Sequence, residues 1–160
     1  MPVLPLVKPG FLLLSASLSF VLSHPSFICA DGIALFGWLT PLLLLLLVRD
    51  RPYKRLFLFG LAYGALAYGL YAFWLFCYSP FALAAVVAAY GLFCGLLFVS
   101  LGFASTAFSR GGWLFQALVL LSFDYLRTLG PLGFHYGVIG YSQWRVPLFI
   151  HTARLAGEPS

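Results

Sequence analysis

The chain has 160 residues, of which 62% are hydrophobic and 8% are charged, and its mean hydropathy is +1.00. A water-soluble globule of this size needs far more polar surface, so a soluble enzyme or binding domain is excluded and lipid is predicted to be the main solvent. The formal net charge of +5 comes from nine Lys and Arg that are scattered singly or sit in one short loop, which argues against a nucleic-acid partner.

The apolar segments have the length of membrane-spanning helices. A spanning helix needs about 20 apolar residues, whereas a barrel strand needs about 10 and alternates polar with apolar residues. Because the apolar runs are long and continuous, the sequence predicts an all-α, polytopic transmembrane helical bundle with about five spans and a partial sixth. We expect one transmembrane domain over 1–160, with spans near 10–29, 32–48, 56–76, 80–108 and 113–129 and a partial apolar tail over 146–156.

The first apolar run follows Lys8 and could in principle be a cleaved signal peptide. Ile28 stands directly before Cys29, where a lipoprotein signal would need a small residue, and the apolar pattern resumes at once. A retained first span is therefore predicted. The first two spans meet at His24-Pro25, where proline removes a backbone donor and disfavours helix in the residue before it, so a bent hairpin is expected.

The segment 49–55 holds four of the nine positive charges, and the positive-inside rule places it in the cytoplasm. Lys8 and Arg110 then also fall on the cytoplasmic side, although neither residue sets the orientation. A cytoplasmic N-terminus follows. Residues 130–147 are predicted to form a periplasmic loop.

Small residues recur at i, i+4 spacing in the third and fourth predicted spans. Such pairs let helix backbones approach closely. Packing within one bundle is favoured here over a specific dimer interface. The pairs are Gly60 with Gly64, Ala65 with Gly69, and Gly91 with Gly95.

No local motif places a nucleophile beside an oriented base, so no catalytic residue is predicted. The cysteines Cys29, Cys77 and Cys94 lack metal-type spacing, and neither a metal site nor a cofactor is expected. His24 and His135 fall in loops predicted on the same side. Two histidines could bind a metal or shuttle protons, but a metal site would need a third ligand.

Asp124 and Arg127 are three residues apart on the fifth predicted helix, so their side chains share a face. An ionisable residue at membrane depth is a candidate for function. The alternative is a structural ion pair that joins the helix end to a neighbour, and this interpretation is favoured here.

The segment 130–144 is rich in glycine and aromatic residues and does not have the pattern of a plain helix. Glycine permits backbone conformations closed to other residues, and aromatic side chains suit a loop that lies in the headgroup layer. From these residues alone the segment is interpreted as an interfacial connector.

Several motifs resemble those of bacterial apolipoprotein N-acyltransferases, in which a Trp-x-x-x-Glu-x-Leu-Arg helix end leads into Gly-Phe-Pro-Trp and Gly-Tyr-Ser-Gln. Here 122–127 read Ser-Phe-Asp-Tyr-Leu-Arg, 133–136 read Gly-Phe-His-Tyr, and 140–143 read Gly-Tyr-Ser-Gln. Residues 18–27 are similar to the family's Leu-Ser-Phe-Pro-Pro-Phe hairpin. The chain departs from the family pattern at Asp124-Tyr125 and at His135-Tyr136.

This resemblance implies an enzyme of the bacterial cytoplasmic (inner) membrane that moves an acyl chain from a phospholipid donor to the diacylglyceryl-cysteine of an apolipoprotein. In the family the chemistry belongs to a nitrilase-like periplasmic domain with a Glu-Lys-Cys triad. That domain would start after Ser160, so the chain is expected to be truncated, and no catalytic residue is carried over. The resemblance leaves five substrate-side candidates, Arg127, Gly140, Tyr141, Ser142 and Gln143.

Two functions are therefore weighed. The first is the membrane portion of such an acyltransferase, inactive without a catalytic domain in cis or trans. The alternative is a stand-alone membrane interaction or transport module. A transport path would need charged or strongly polar residues in mid-membrane, and the sequence has none there, which favours the first function.

Overall fold

A computed structural model describes residues 8–108, 111–129 and 137–146. Within these ranges the chain forms five α-helices, two short 3₁₀ helices and no strand, which confirms the predicted all-α class. The α-helices are α1 (Pro9–Ser23), α2 (Ala34–Val48), α3 (Tyr53–Tyr71), α4 (Pro80–Ala107) and α5 (Gly112–Leu126), and the 3₁₀ helices are Phe73–Cys77 and Ile139–Gln143. His135 lies outside the described residues, as do the other residues of 130–136 and residue 147 of the predicted 130–147 loop.

Among the described helices, α4 is both long enough and apolar enough to cross a membrane. It has 28 residues, whereas α1, α2 and α5 are apolar helices of 15 residues each. A helix of that shorter length spans about 22 Å, less than the ~30 Å of a typical hydrocarbon layer. The predicted number of about five spans therefore stays a prediction.

α1 and α2 form a bent hairpin. α1 ends at Ser23 because His24, which precedes a proline, is extended, so the predicted 10–29 span is helical only in its first part. The return towards α2 passes through Gly32, whose φ of +66° suits glycine. The N–H of Ile33 then donates to the carbonyl of Leu22 at 2.8 Å and closes the hairpin.

α3 and α4 approach each other closely through the predicted small residues. A Cβ on Gly60 would lie 2.3 Å from the carbonyl oxygen of Cys94, and one on Gly64 would lie 2.3 Å from that of Tyr90. Both glycines face the backbone of Gly91 or Gly95 across the interface. The predicted close packing is confirmed for Gly60 with Gly64 and for Gly91 with Gly95, whereas a Cβ on Gly69 would make only an ordinary contact, with Val87 at 3.5 Å.

The apolar core lies between α1, α2, α3 and α4. Its largest fully buried apolar side chains are Leu47, Leu56, Phe98 and Leu101. α5 contributes less to the interior, since its sole buried residue is Gln116, whose side-chain amide donates to the carbonyl of Leu101 at 3.1 Å.

Successive helices are antiparallel, so the connections between them alternate between two ends of the bundle. The charged residues lie at these two ends. We call the end with the start of α1 and the α2–α3 connection the basic end, and the end where α1 stops the His24 end. Charged residues described at the basic end are Lys8, Arg49, Asp50, Arg51, Lys54 and Arg55. Those described at the His24 end are Asp31, Asp124, Arg127 and Arg145.

Candidate functional site

Buried polar side chains collect at the His24 end, around an ion pair in α5. Arg127 lies 2.9 Å from a carboxylate oxygen of Asp124, and the two side chains are 3% and 16% exposed. The spacing of three residues places both on one helical face, as the sequence predicts. A buried pair of this kind requires further hydrogen bonds to offset the loss of water around both charges.

The additional hydrogen bonds come from other parts of the chain. The guanidinium of Arg127 donates to the hydroxyl of Tyr68 in α3 and to the carbonyl of Gly137. The second carboxylate oxygen of Asp124 accepts the backbone N–H of Ile139 at 3.1 Å. The ion pair therefore joins α5 to α3 and to the segment that leads into the second 3₁₀ helix.

His24 makes a second connection to the same segment. Its Nε2 lies 2.9 Å from the carbonyl oxygen of Val138, and its Nδ1 lies 2.7 Å from the hydroxyl of Ser23. His24 follows α1 and lies outside the helices, and burial lowers its pKa below the ordinary value of 6.5. Nδ1 also lies 3.0 Å from the carbonyl oxygen of Phe20, to which the Ser23 hydroxyl donates at 2.7 Å. In the neutral ring, Nε2–H can donate to the carbonyl of Val138.

Gln143 makes a third connection, to α2. Its side-chain oxygen accepts the indole N–H of Trp38 at 3.1 Å, and its side-chain nitrogen donates to the carbonyl of Ala34 at 2.9 Å. Gly37 gives the second 3₁₀ helix room, because a Cβ there would lie 2.8 Å from the side-chain nitrogen of Gln143 and 2.0 Å from the hydroxyl oxygen of Ser142. The second 3₁₀ helix is thus held against the start of α2 by buried polar contacts.

The described candidates from the sequence divide into two groups. Arg127, Ser142 and Gln143 are buried in the network, whereas Gly140 and Tyr141 are exposed on the outer side of the 3₁₀ helix. Their predicted placement on the substrate side of the molecule stays a prediction. The proposed partner of His24 in a histidine pair, His135, falls outside the described residues.

The sequence reasoning missed Tyr68 as a partner of Arg127, and it treated His24 as a metal candidate. Tyr68 lies 59 positions from Arg127, and nothing in its local pattern marks it. The sequence did carry one usable signal: a buried guanidinium has five donors and no acceptor, so Arg127 must have several acceptors from other parts of the chain. His24 could have been identified from the same requirement, since a ring next to a proline bend is positioned to bond to loop carbonyls.

Ser23 and His24 resemble a nucleophile with its base, because their side chains are hydrogen-bonded at 2.7 Å. Both residues are almost completely buried, and the other ring nitrogen is occupied by a backbone carbonyl. Nucleophilic catalysis needs an accessible hydroxyl and a base oriented by a third group. The pair therefore has the geometry of a structural bond. In the part of the chain that the structure describes, no group of three His, Cys, Asp or Glu side chains could hold a metal ion.

The sequence was compared with known families and proteins. Residues 15–160 match the family model described as the apolipoprotein N-acyltransferase N-terminal domain. Apolipoprotein N-acyltransferase 1 of Treponema pallidum is 43% identical over 150 residues, which are 92% of this chain and 27% of that protein. Apolipoprotein N-acyltransferase 1 of Treponema denticola is 34% identical over 138 residues, which are 86% of this chain and 25% of that protein. The chain thus spans about a quarter of the length of both relatives. No solved structure gives a significant match.

Proposed function

The chain belongs to the apolipoprotein N-acyltransferase family, whose N-terminal domain it matches, and we propose that it forms the membrane portion of such an acyltransferase. The proposed overall reaction transfers an acyl chain from a phospholipid to the amino group of an apolipoprotein diacylglyceryl-cysteine. The chemical steps would be carried out by a nitrilase-like domain, in cis or in trans. A cysteine thiolate of that domain would attack the phospholipid ester and release a lysophospholipid, and the incoming amine would open the resulting thioester.

The observation that supports this proposal is the network that fixes residues 137–143 at the His24 end. Three separate connections bind this segment, from Arg127 with Asp124, from His24 and from Gln143. Buried hydrogen bonds of this kind favour one defined local structure, although the Nε of Arg127 has no partner among the described residues. A rigid segment with exposed Gly140 and Tyr141 is suited to present a surface to a catalytic domain or to the lipoprotein substrate.

We propose that the chain is multi-pass, with about five spans and a cytoplasmic N-terminus. The support is the distribution of charge. The basic end carries five cationic side chains and one carboxylate, whereas the described residues at the His24 end carry two of each. By the positive-inside rule the basic end lies in the cytoplasm, and the 137–143 segment then lies on the periplasmic side.

The experiment uses proteoliposomes that contain a phospholipid with a labelled acyl chain and a diacylglyceryl-cysteine peptide. The 160-residue chain alone should transfer no label, because none of the described nucleophiles has an accessible, oriented base. Addition of a nitrilase-like catalytic domain of the family should give transfer above the level of that domain alone. Robust transfer by the chain alone, or no gain from its addition, would contradict the proposal.

A matched pair of variants tests the role of the 137–143 segment in the combined system. Tyr141→Ala removes an exposed side chain from this segment, and we expect a slower transfer. Tyr78→Ala removes an equally large exposed side chain at the same end but outside the segment, and it should leave the rate unchanged. Equal rates for the two variants would argue against the segment as a contact surface.

A further inference from the structure

A long apolar groove lies between α4 and α5, with a volume of about 1120 Å³. Its walls are made almost entirely of large apolar side chains, among them Phe93, Leu96, Phe103, Leu118, Phe123 and Leu126. Tyr53, the first residue of α3, lines the groove at the basic end, and Arg127 lines it at the His24 end. The groove therefore follows the bundle from one end to the other.

The side chains of the groove favour a flexible occupant over another helix. Where this chain packs two helices tightly, between α3 and α4, glycines bring the backbones together. The described residues that line the groove include no glycine, and its small residues are Ser100, Ala104 and Ser122. An alkyl chain adapts to such an irregular apolar surface, because it needs no close backbone approach.

The two ends of the groove differ in charge. At the His24 end the guanidinium of Arg127 is neutralised by Asp124 at 2.9 Å. At the basic end, the first turn of α3 contains Lys54 and Arg55, both exposed, and no acidic residue. Among the described residues, the nearest carboxylate in sequence, Asp50, pairs with Arg49 at 3.4 Å.

Two cations in the first turn of α3 also oppose the helix dipole, whose positive end lies there. The start of α3 has no side-chain hydrogen-bonded cap to reduce this positive potential. An anion at the basic end would offset the charge of the two cations and would also interact favourably with the positive end of the helix dipole. Tyr53 lines the mouth of the groove, and the two residues that follow it in the first turn of α3 are exposed cations that do not themselves line the groove.

We propose that the groove holds one acyl chain of an anionic membrane phospholipid whose phosphate lies against Lys54 and Arg55. The alkyl chain contacts the Phe and Leu side chains of α4 and α5, and the head group stays at the membrane surface at the basic end. This lipid site lies at the opposite end of the bundle from residues 137–143. The site is independent of the proposed acyl transfer, since it requires no catalytic domain.

The test is native mass spectrometry of the full 160-residue chain released from nanodiscs of phosphatidylglycerol or of phosphatidylethanolamine with identical acyl chains. We expect one retained phosphatidylglycerol per chain and weaker retention of the zwitterionic lipid. Each cation near a membrane surface contributes about fivefold to the affinity for an anionic lipid. The double variant Lys54→Ala with Arg55→Ala removes two such cations, so it should lower the affinity for phosphatidylglycerol about thirtyfold. Lys8→Ala, at the same end but at the start of α1, should change this affinity little.

The acyl chain is tested separately from the charge. Ser100→Trp fills the groove from α4 at an exposed position, and we expect loss of the retained lipid. Leu92→Trp, exposed on the same helix but outside the groove, should keep the lipid. Ser122→Trp, on the opposite wall, replaces Ser100→Trp if that variant does not fold by circular dichroism.

Two results would overturn the proposal. Equal retention of both lipids would show that the cations do not select an anion. Equal retention by the groove variant and by Leu92→Trp would show that the lipid is attracted to surface charge without entering the groove. Acyl transfer is not measured in either experiment, so these outcomes are distinct from a failure of the proposed function.

Discussion

At the scale of single residues, Arg127 contributes most to the structure of the His24 end. Its guanidinium bonds to Tyr68 in α3, to the carbonyl of Gly137 and to Asp124. Removal of the guanidinium would leave the Asp124 carboxylate buried without its counter-ion.

Replacement of Arg127 by Met should therefore destabilise the fold strongly. We expect a loss of about 3–5 kcal/mol in the free energy of unfolding, as is typical when one partner of a buried pair is removed. The measurement is denaturant unfolding in detergent micelles, followed by circular dichroism.

Arg145→Met is the matched control, because Arg145 pairs with Asp31 at 2.5 Å while both side chains are more than half exposed. An exposed pair contributes about 0–1 kcal/mol. Equal losses for the two variants would mean that the buried network does not support the fold.

The residue-scale features were predictable only where both partners are close in sequence. The pairing of Asp124 with Arg127 follows from their spacing of three on one helix. The bond from His24 to Val138 joins residues 114 positions apart, and that from Trp38 to Gln143 joins residues 105 apart. Such contacts depend on the packing of whole helices, which local patterns do not specify.

At the scale of elements, the α3–α4 interface depends on glycines that no other residue can replace. Gly64→Ala would place a methyl group 2.3 Å from a carbonyl oxygen of α4, and backbone atoms cannot move aside without separating the helices. We expect destabilisation of about 1–3 kcal/mol, the usual range for overpacking. Thermal unfolding in micelles measures it.

Gly69→Ala provides the comparison on the same helix. There the nearest atom to a new Cβ is a methyl carbon of Val87 at 3.5 Å, an ordinary contact. Since alanine favours helix over glycine by about 1 kcal/mol, this variant should be neutral or slightly stabilised. A melting temperature for Gly64→Ala that equals that of Gly69→Ala would refute the role of the close approach.

The helices themselves were predictable from hydropathy, but several of their ends were not. The predicted 56–76 span begins at Tyr53 and its α-helix ends at Tyr71, after which residues Phe73–Cys77 form a 3₁₀ helix. The α3 start includes Lys54 and Arg55, polar residues that a hydropathy window excludes although they have good helix propensity. The 3₁₀ turn has no strong local signal, because its residues are as apolar as the helix before it.

At the scale of the whole molecule, the unequal charge of the two ends predicts a single orientation. In a strain that carries Cys29→Ser, a membrane-impermeant maleimide should label Cys77 in intact cells, because Cys77 is exposed at the His24 end. A cysteine at the basic end, Ala107→Cys with Cys77→Ser, should react only after the membrane is opened. The reverse pattern would contradict the proposed topology.

The all-α class could be predicted from the long, continuous apolar runs, because such runs satisfy their own backbone groups as helices. The arrangement of the candidate site could not. It requires that the ends of α1, α3 and α5 meet one segment of the chain, and this meeting depends on the antiparallel order and on the glycine contacts that set helix spacing. The motif Gly-Tyr-Ser-Gln indicates where this segment lies but not which of its side chains are buried.

The ion pair in α5 also has a consequence for biogenesis. Asp124 and Arg127 lie within one helical turn, so they can neutralise each other as soon as that turn forms, before any other helix is present. A lone guanidinium in hydrocarbon is costly, and the local carboxylate reduces that cost during membrane insertion. The bonds to Tyr68 and Gly137 can form only afterwards, when the neighbouring helices have assembled. In the proposed multi-pass topology, we therefore expect the insertion of α5 and its docking in the bundle to be separate steps that use the same guanidinium in turn.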